Sequence, residues 1–223
     1  NEFISSVSHE LRTPLTAIRG WAETIRTERD PVIFKKGIRV ITNETERLSQ
    51  MVEELLDFSR MQSGHFTLQQ SAMDVLAELG EAALIYAERA KIEDITMTYE
   101  EPEMLPVVYG DKNRIRQVFI NIIDNAIKYS NRGGTVKIVA GTSPEGDIRV
   151  TVEDNGCGIR KSDLPKIKTK FYKANHTKKG SGIGLAVADE IIQMHGGTLT
   201  LESEEGKGTK VTITIPPQKT EDK

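Results

Sequence analysis

Apolar residues recur at steps of four and three from the start of the chain. Phe3, Val7, Leu11, Leu15, Ile18, Ala22 and Ile25 form the stripe of an amphipathic helix. That helix is predicted to run to about Arg26 or Thr27, with a turn at Asp30-Pro31, where proline punctuates the pattern. A second stripe, Ile38, Ile41, Thr45, Leu48, Val52, Leu55 and Phe58, keeps a period of about 3.5 residues, that of a coiled-coil-like seam. Helices joined by so short a loop lie antiparallel. A lone hairpin cannot enclose two apolar stripes. A second copy would close them into a four-helix bundle with two-fold symmetry, which predicts a homodimer; packing of the hairpin on the chain's own second domain is the alternative.

Ser63-Gly64 breaks the helical pattern. A short strand is predicted over Phe66 to Gln70, a helix over Val75 to Lys91 and a strand over Ile95 to Tyr99, with Pro102 and Pro106 in a connector. From Asp111 to Tyr129 a helix reads clearly, its apolar face built from Ile115, Val118, Phe119, Ile122, Ile123, Ala126 and Ile127. Val136 to Gly141 and Ile148 to Glu153 alternate as a strand pair around turn residues 143–147. Ile183 to Met194 read as a helix, and Leu199 to Glu202 with Lys210 to Ile215 as a closing strand pair. Locally paired strands with helices between them imply a mixed α/β sandwich rather than a doubly wound sheet. The predicted organisation is therefore α+β, with a dimerising helical hairpin over 1–63, an α/β domain over 64–217 and a tail over 218–223.

Composition changes this picture little. With 37% hydrophobic and 28% charged residues and a net charge of −3, the chain lacks the basic excess that marks a nucleic-acid partner. The single cysteine, Cys157, excludes an internal disulfide framework and fits a reducing compartment. No apolar run approaches the roughly 18 residues that span a bilayer, so no membrane contact is expected of this fragment. Asn1 lies inside a helical pattern with no N-cap before it. An upstream sensing region is expected.

The candidate chemistry begins at His9. Two residues along a helix is about 200° of rotation, so if Val7 and Leu11 face a core, His9 and Glu10 point away from it. An imidazole there offers a neutral, nucleophilic ring nitrogen near neutral pH, and the adjacent carboxylate could hold its tautomer and take a proton. Pro14, which lacks an N–H, leaves the carbonyl of Glu10 without a helical partner, and a kink or bulge is expected. An exposed histidine alone is usually just a solvated residue. The whole segment from Phe3 to Leu15, with His9-Glu10-Leu11-Arg12-Thr13-Pro14 at its centre, closely resembles the phosphoacceptor box of the sensor histidine kinases of two-component signalling.

A second constellation follows. Asn121, Asn125 and Lys128 are spaced four and three apart and line one edge of their helix. Amide oxygens suit a hard cation such as magnesium and a lysine suits phosphate, although a solvated helix face would look the same. Asp154 ends a strand and leads into Asn155-Gly156-Cys157-Gly158, placing glycines where a backbone must bend or approach a ligand. Gly180-Ser181-Gly182-Ile183-Gly184-Leu185 opens a helix, a ready anion site. No P-loop sequence occurs.

In this order and spacing the three segments resemble the ATP-binding fold shared by histidine kinases, gyrase, MutL-type repair proteins and the large ATP-dependent chaperones. The resemblance implies a GHKL-type α/β sandwich that binds ATP with Mg2+. It makes Asn121 the magnesium ligand, Asn125 and Lys128 phosphate contacts, and Tyr129 part of the pocket wall. By the same likeness Asp154 reads adenine, Thr209 helps it through water, and Gly156, Gly158, Gly180, Gly182 and Gly184, with Leu185 following, form the glycine boxes. Lys170-Phe171-Tyr172-Lys173 resembles the aromatic box at the start of a mobile lid. The chain departs from the pattern in its lysines at 170 and 173, where arginine is common, and in the short segment from Ala174 to Lys179. Of the other histidines, His65 and His176 suggest no catalytic role, and for His195, at a helix end, a capping role suffices.

Together the two resemblances imply an ATP-dependent protein histidine kinase that phosphorylates His9, with Glu10 orienting the ring and accepting its proton. They also imply transfer of the phosphoryl group to an aspartate of a response-regulator receiver domain. Thr13, one turn beyond His9, resembles the threonine of a Glu-x-x-Thr phosphatase motif. The expected setting is cytoplasmic, as the intracellular portion of a larger sensor. A nucleotide-sensing dimeric scaffold of the same fold, without phosphoryl transfer, is the rival; a plain ATPase would leave His9 and its box unexplained.

Overall fold

The computed structural model describes residues 2–64, 66–169, 172, 174 and 182–217, the side chains of residues 2–6 and 62 excepted. The chain separates into two compact units, Asn1–Phe66 with Lys179–Ile183 and Thr67–Lys178 with Gly184–Lys223. In the first, helices α1 (Glu2–Thr27) and α2 (Pro31–Gln62) form the expected antiparallel hairpin. The turn is held by side chains: the Glu28 carboxylate accepts from the N–H groups of Arg29 and Asp30, and Asp30 caps α2 by accepting from Val32 N–H at 2.8 Å. Pro31 stands in the first turn of α2, where its missing N–H costs nothing. Close to the turn the helices meet at Gly37, where a side chain would collide with Ile25 and Trp21. The helix α1 runs unbroken through a buried Pro14. Part of the predicted seam stays uncovered: Leu15 is 54% exposed and Ile38 and Val52 44% each.

The second unit is a two-layer sandwich. Its five-stranded sheet has the order β2 (Thr96–Glu100), β4 (Thr135–Thr142), β5 (Ile148–Asp154), β7 (Gly208–Ile215), β6 (Thr198–Glu204). Only the β2–β4 pair is parallel. Strands β4 and β5 alternate buried and accessible residues, so Val136, Ile138, Val150 and Val152 sit in the core while Lys137 and Arg149 face water. The helices α3 (Val75–Ile92), α4 (Lys112–Tyr129) and α5 (Gly184–Met194) complete the sandwich, with α4 central and in contact with both others. Its apolar face is as predicted: Ile115, Val118, Phe119, Ile122, Ile123, Ala126 and Ile127 are all buried.

One strand differs from expectation. Residues 66–70 form no strand; the short β1 lies at Ser71–Met73 and pairs antiparallel with β3, Val108–Gly110. The apolar alternation of Phe66 and Leu68 suggests a strand, but the Gln69 N–H is taken at 2.9 Å by the carboxylate of Asp111, which also caps α4 through the N–H groups of Asn113 and Arg114. His195 completes this junction. Its Nδ1 meets the Ile191 carbonyl at 2.7 Å, so Nε2 is the acceptor for the Asp111 N–H at 2.9 Å. The capping role expected for His195 is present, and it also ties the end of α5 to the start of α4.

Gly158 and Gly146 both have positive φ, 64° and 91°, but only at Gly158 would a Cβ strike backbone, the Glu204 carbonyl; at Gly146 it meets nothing within 4 Å. Gly146→Ala should cost about 1–2 kcal/mol for its left-handed conformation. Gly158→Ala should cost roughly 1–3 kcal/mol more from overpacking. Urea titrations of the two variants side by side check this, and equal midpoints would contradict it.

Candidate active site

On α1, His9 is exposed as expected, but Glu10 is half-buried and turned towards α2 rather than away from the core; three residues of helix return it to about 60° from Val7, on the same side. Glu10 also has a partner the sequence did not suggest, since Arg47 of α2 places Nη2 3.7 Å from its Oε2. Thr13 is exposed one turn on, its hydroxyl donating to the His9 carbonyl at 3.3 Å.

In the second unit α4 supplies the edge that spacing predicted. Asn121 is buried and the neighbouring Asn125, Lys128 and Tyr129 are half-buried. Asn121 Nδ2 donates to the Gly184 carbonyl at 3.1 Å, in the first turn of α5, which fixes the amide and leaves Oδ1 as its acceptor. Among the described residues no group of three His, Cys, Asp or Glu could hold a metal ion. A single amide oxygen instead suits magnesium, which keeps waters and shares phosphate oxygens. Leu185 follows Gly184 in the first turn of α5 and is half-buried. Gly182, just before it, has φ 72°.

At its other end α4 meets the loop that leaves β5. The Cys157 N–H donates to the Tyr129 carbonyl at 3.1 Å, and Gly156 lies so close to that carbonyl that any side chain would collide with it. The Lys128 Nζ lies 5.0 Å from the centre of the Tyr129 ring, within cation–π range. Burial pushes the Tyr129 hydroxyl above its ordinary range, with the charges of Cys157 and Asp124 adding to it. From Asn121 to Tyr129 is eight residues of helix, about 12 Å. One end of this edge touches a helix N-terminus suited to phosphate, and the other touches the Asp154 loop.

Asp154 is the electrostatic centre of that loop. It is buried, pairs with no cation among the described residues, and accepts from Gly156 N–H at 2.8 Å. Burial raises its carboxyl above the ordinary aspartate range, while the N–H groups of Gly156 and Thr209 pull the other way and Glu153 adds repulsion. A carboxylate so placed gains from any further hydrogen-bond donor, such as an exocyclic amine. Thr209 lies opposite Asp154 in the β5–β7 register.

Ser203 escaped sequence reasoning. Its hydroxyl accepts from Ile159 N–H, donates to the Gly208 carbonyl and lies near Thr209 Oγ1, each at 2.8 Å, so it pins the glycine loop to the β6–β7 hairpin. Only the register, which sets Ser203 opposite Thr209, brings it to the site. Lys168 likewise bridges Asp189 of α5, at 2.8 Å, and the Leu199 carbonyl. Lys170, Phe171, Lys173, Gly180, His65, His176 and the tail 218–223 lie outside the described residues.

Known proteins match along the same division. Residues 1–64 match the His Kinase A (phospho-acceptor) domain, and residues 110–219 the histidine kinase-, DNA gyrase B- and HSP90-like ATPase. Sensor histidine kinase WalK of Bacillus subtilis is 35% identical over 222 residues, 96% of this chain and 36% of WalK. Among solved structures, histidine kinase ThkA in complex with response regulator protein TrrA has a TM-score of 0.75 at 27% identity, covering 98% of this chain and 62% of that one. Full-length ShkA in complex with AMPPNP has a TM-score of 0.72 at 26% identity, covering 96% and 45%. The chain spans between 28% and 38% of the length of the curated relatives it matches. An exposed histidine on a helical hairpin, followed by a Walker-free nucleotide fold and matched by both domains of one family, places the chain among the sensor histidine kinases of two-component systems, as their catalytic core.

Proposed function

We propose that this chain is an ATP-dependent protein histidine kinase that phosphorylates itself on His9 and passes the phosphoryl group to an aspartate of a response-regulator receiver domain. The observation that carries the reading is His9, exposed on α1 directly beside Glu10, in a chain whose second unit presents a helix edge running from a phosphate-binding helix end to the buried carboxylate of Asp154. The AMPPNP bound by ShkA and the TrrA bound by ThkA support the choice of nucleotide and of partner.

In this mechanism Asp154 and Thr209 hold the adenine end, and Asn125, Lys128 and the start of α5 hold the phosphates. Asn121 would hold magnesium through Oδ1, and the bound ion would offset the phosphates' charge. A His9 ring nitrogen attacks the γ-phosphorus, the P–N bond forms as the bond to the bridging oxygen of the leaving ADP breaks, and the ring proton passes to Glu10. Thr13 positions a water for hydrolysis of the regulator's phosphoaspartate. Residues 1–63 serve dimerisation and phosphotransfer and 64–217 nucleotide binding. Exposed Leu15, Ile38 and Val52 support a homodimer, since such a stripe is covered by a second copy. The reading sets the chain in the cytoplasm; no described helix is long and apolar enough to cross a membrane.

With γ-labelled ATP, His9→Gln should lose all acid-labile label while still binding ATP. Glu10→Gln should slow labelling by about 100-fold, the scale of a lost general base. Thr13→Ala should keep labelling and lose phosphatase activity towards a phosphorylated receiver. Label that persists in His9→Gln, or survives acid, contradicts the phosphoacceptor, and an unchanged phosphatase rate in Thr13→Ala contradicts its role.

Light scattering at micromolar concentration should give twice the chain mass. A monomer at every concentration would refute the bundle.

For Asp154 the sign of the pH effect follows from its raised carboxyl. The folded chain binds this proton more tightly than the unfolded chain, so the stability it lends is present at low pH and lost as pH rises through the folded value. At pH 7 the ionised group therefore costs stability. Asp154→Asn, without nucleotide, should be at least as stable as the parent at pH 7, with the difference shrinking towards acid. It should also bind ATP about 10- to 100-fold more weakly, the value of a charge-assisted hydrogen bond. Calorimetric titration and thermal melts at several pH values read both effects, and normal ATP affinity would remove Asp154 from the pocket.

A further inference from the structure

We propose that Arg47 is a positioning residue for phosphoryl transfer, a clamp on α2 that fixes where the Glu10 carboxylate stands beside His9. The inference rests on the reading of Glu10 as the proton acceptor.

The geometry is a fork. Arg47 Nη1 donates to Glu44 Oε2 at 3.2 Å, one turn earlier on α2, and Nη2 lies 3.7 Å from Glu10 Oε2 on α1. The guanidinium is planar and rigid, so anchoring one arm on Glu44 sets the direction of the other. All three side chains are largely withdrawn from water, Arg47 being 21%, Glu10 22% and Glu44 12% exposed. An ion pair so shielded is less screened than the surface pairs that contribute little. Glu10 contrasts with its neighbour, since the adjoining His9 is exposed.

The length of the Glu10 contact matters. At 3.7 Å it is an ion pair and too long for a hydrogen bond. Arg47 thus restrains the position of the carboxylate by charge. A proton acceptor must come within about 2.6–3.2 Å of the ring N–H it relieves, and a glutamate on a helix surface has several rotamers to choose from. Holding it against α2 removes most of them before the nucleotide arrives. Arg47 makes no contact with reacting atoms in this account; it works through Glu10.

The test is a double-mutant cycle on the whole chain, reading the initial rate of acid-labile label on His9, the KM for ATP, and the thermal midpoint. Arg47→Gln should lower the rate at saturating ATP about tenfold, a fraction of the full general-base effect, with KM unchanged. Arg47→Lys, which keeps the charge and loses the fork, should recover part of the rate. In a Glu10→Gln background, Arg47→Gln should change the rate less than about twofold, because the group it positions is gone. A wild-type rate in Arg47→Gln overturns the proposal. So does an undiminished Arg47→Gln effect in the Glu10→Gln background, which with a fall in the thermal midpoint would mark a merely structural role. If Glu10→Gln itself labels at the wild-type rate, Glu10 is not the acceptor and the clamp falls with it, while the assignment of His9 stands or falls separately on His9→Gln.

Discussion

The close approach of the β5 loop to the last turn of α4 is the constraint on which the nucleotide site depends. The Gly156 backbone lies against the Tyr129 carbonyl, where no side chain fits, and Cys157 donates to the same oxygen. That carbonyl belongs to the last turn of a helix and has no intrahelical donor. The loop supplies one in the Cys157 N–H, and in doing so holds Asp154, three residues earlier, at the end of the polar edge of α4. The far end of the same edge is set by another contact with a glycine backbone, Asn121 to Gly184. One helix therefore gauges the pocket along its length, with a loop fastened at one end and a helix N-terminus at the other.

The two carboxylates of the proposed mechanism occupy opposite environments. Asp154 is buried with N–H donors and no cation among the described residues, so its charge is underpaid in solvation and gains from any donor a ligand brings. Glu10 is half-buried beside the Arg47 guanidinium, which compensates its charge. A residue that recognises a base benefits from incomplete satisfaction, because the ligand then completes it. A residue that handles a proton benefits from restraint, because its position decides the rate. Environment rather than residue type separates the roles.

How much of this was legible in the sequence depended on whether a pattern repeats. The helices α1, α2 and α4 each carry an apolar period over several turns, and the structure places their ends within a residue or two of the expected ones. The three-residue strands β1 and β3 offer no period, and the alternating Phe66 and Leu68 suggested a strand where Asp111 instead takes the Gln69 N–H. Within the site, Asn121, Asn125, Lys128 and Tyr129 could be gathered because helical spacing alone puts them on one edge. Ser203 and Arg47 could not, since each reaches its partner across a strand register or a helix pair, 44 residues from Ile159 in the case of Ser203. Local periodicity carries element and face; long-range contacts need the register as well.

The hairpin shows a conflict between stability and function, and the packing resolves it along the helix. Near the turn, Gly37 lets α2 close on Trp21 and Ile25, with no room for a side chain between them, and the Asp30 cap and Pro31 set the start of α2. Beside His9 a charged contact is added, the fork of Arg47 between Glu10 and Glu44, while Met51, one turn further along α2, is buried. Pro14 is buried in this stretch and removes the donor that the Glu10 carbonyl would otherwise meet. The proposed phosphoacceptor stands exposed on α1, so this stretch of the helix is not stabilised by burying that face. Close packing holds the turn end at Gly37, and the charge fork ties α1 to α2 beside the exposed histidine.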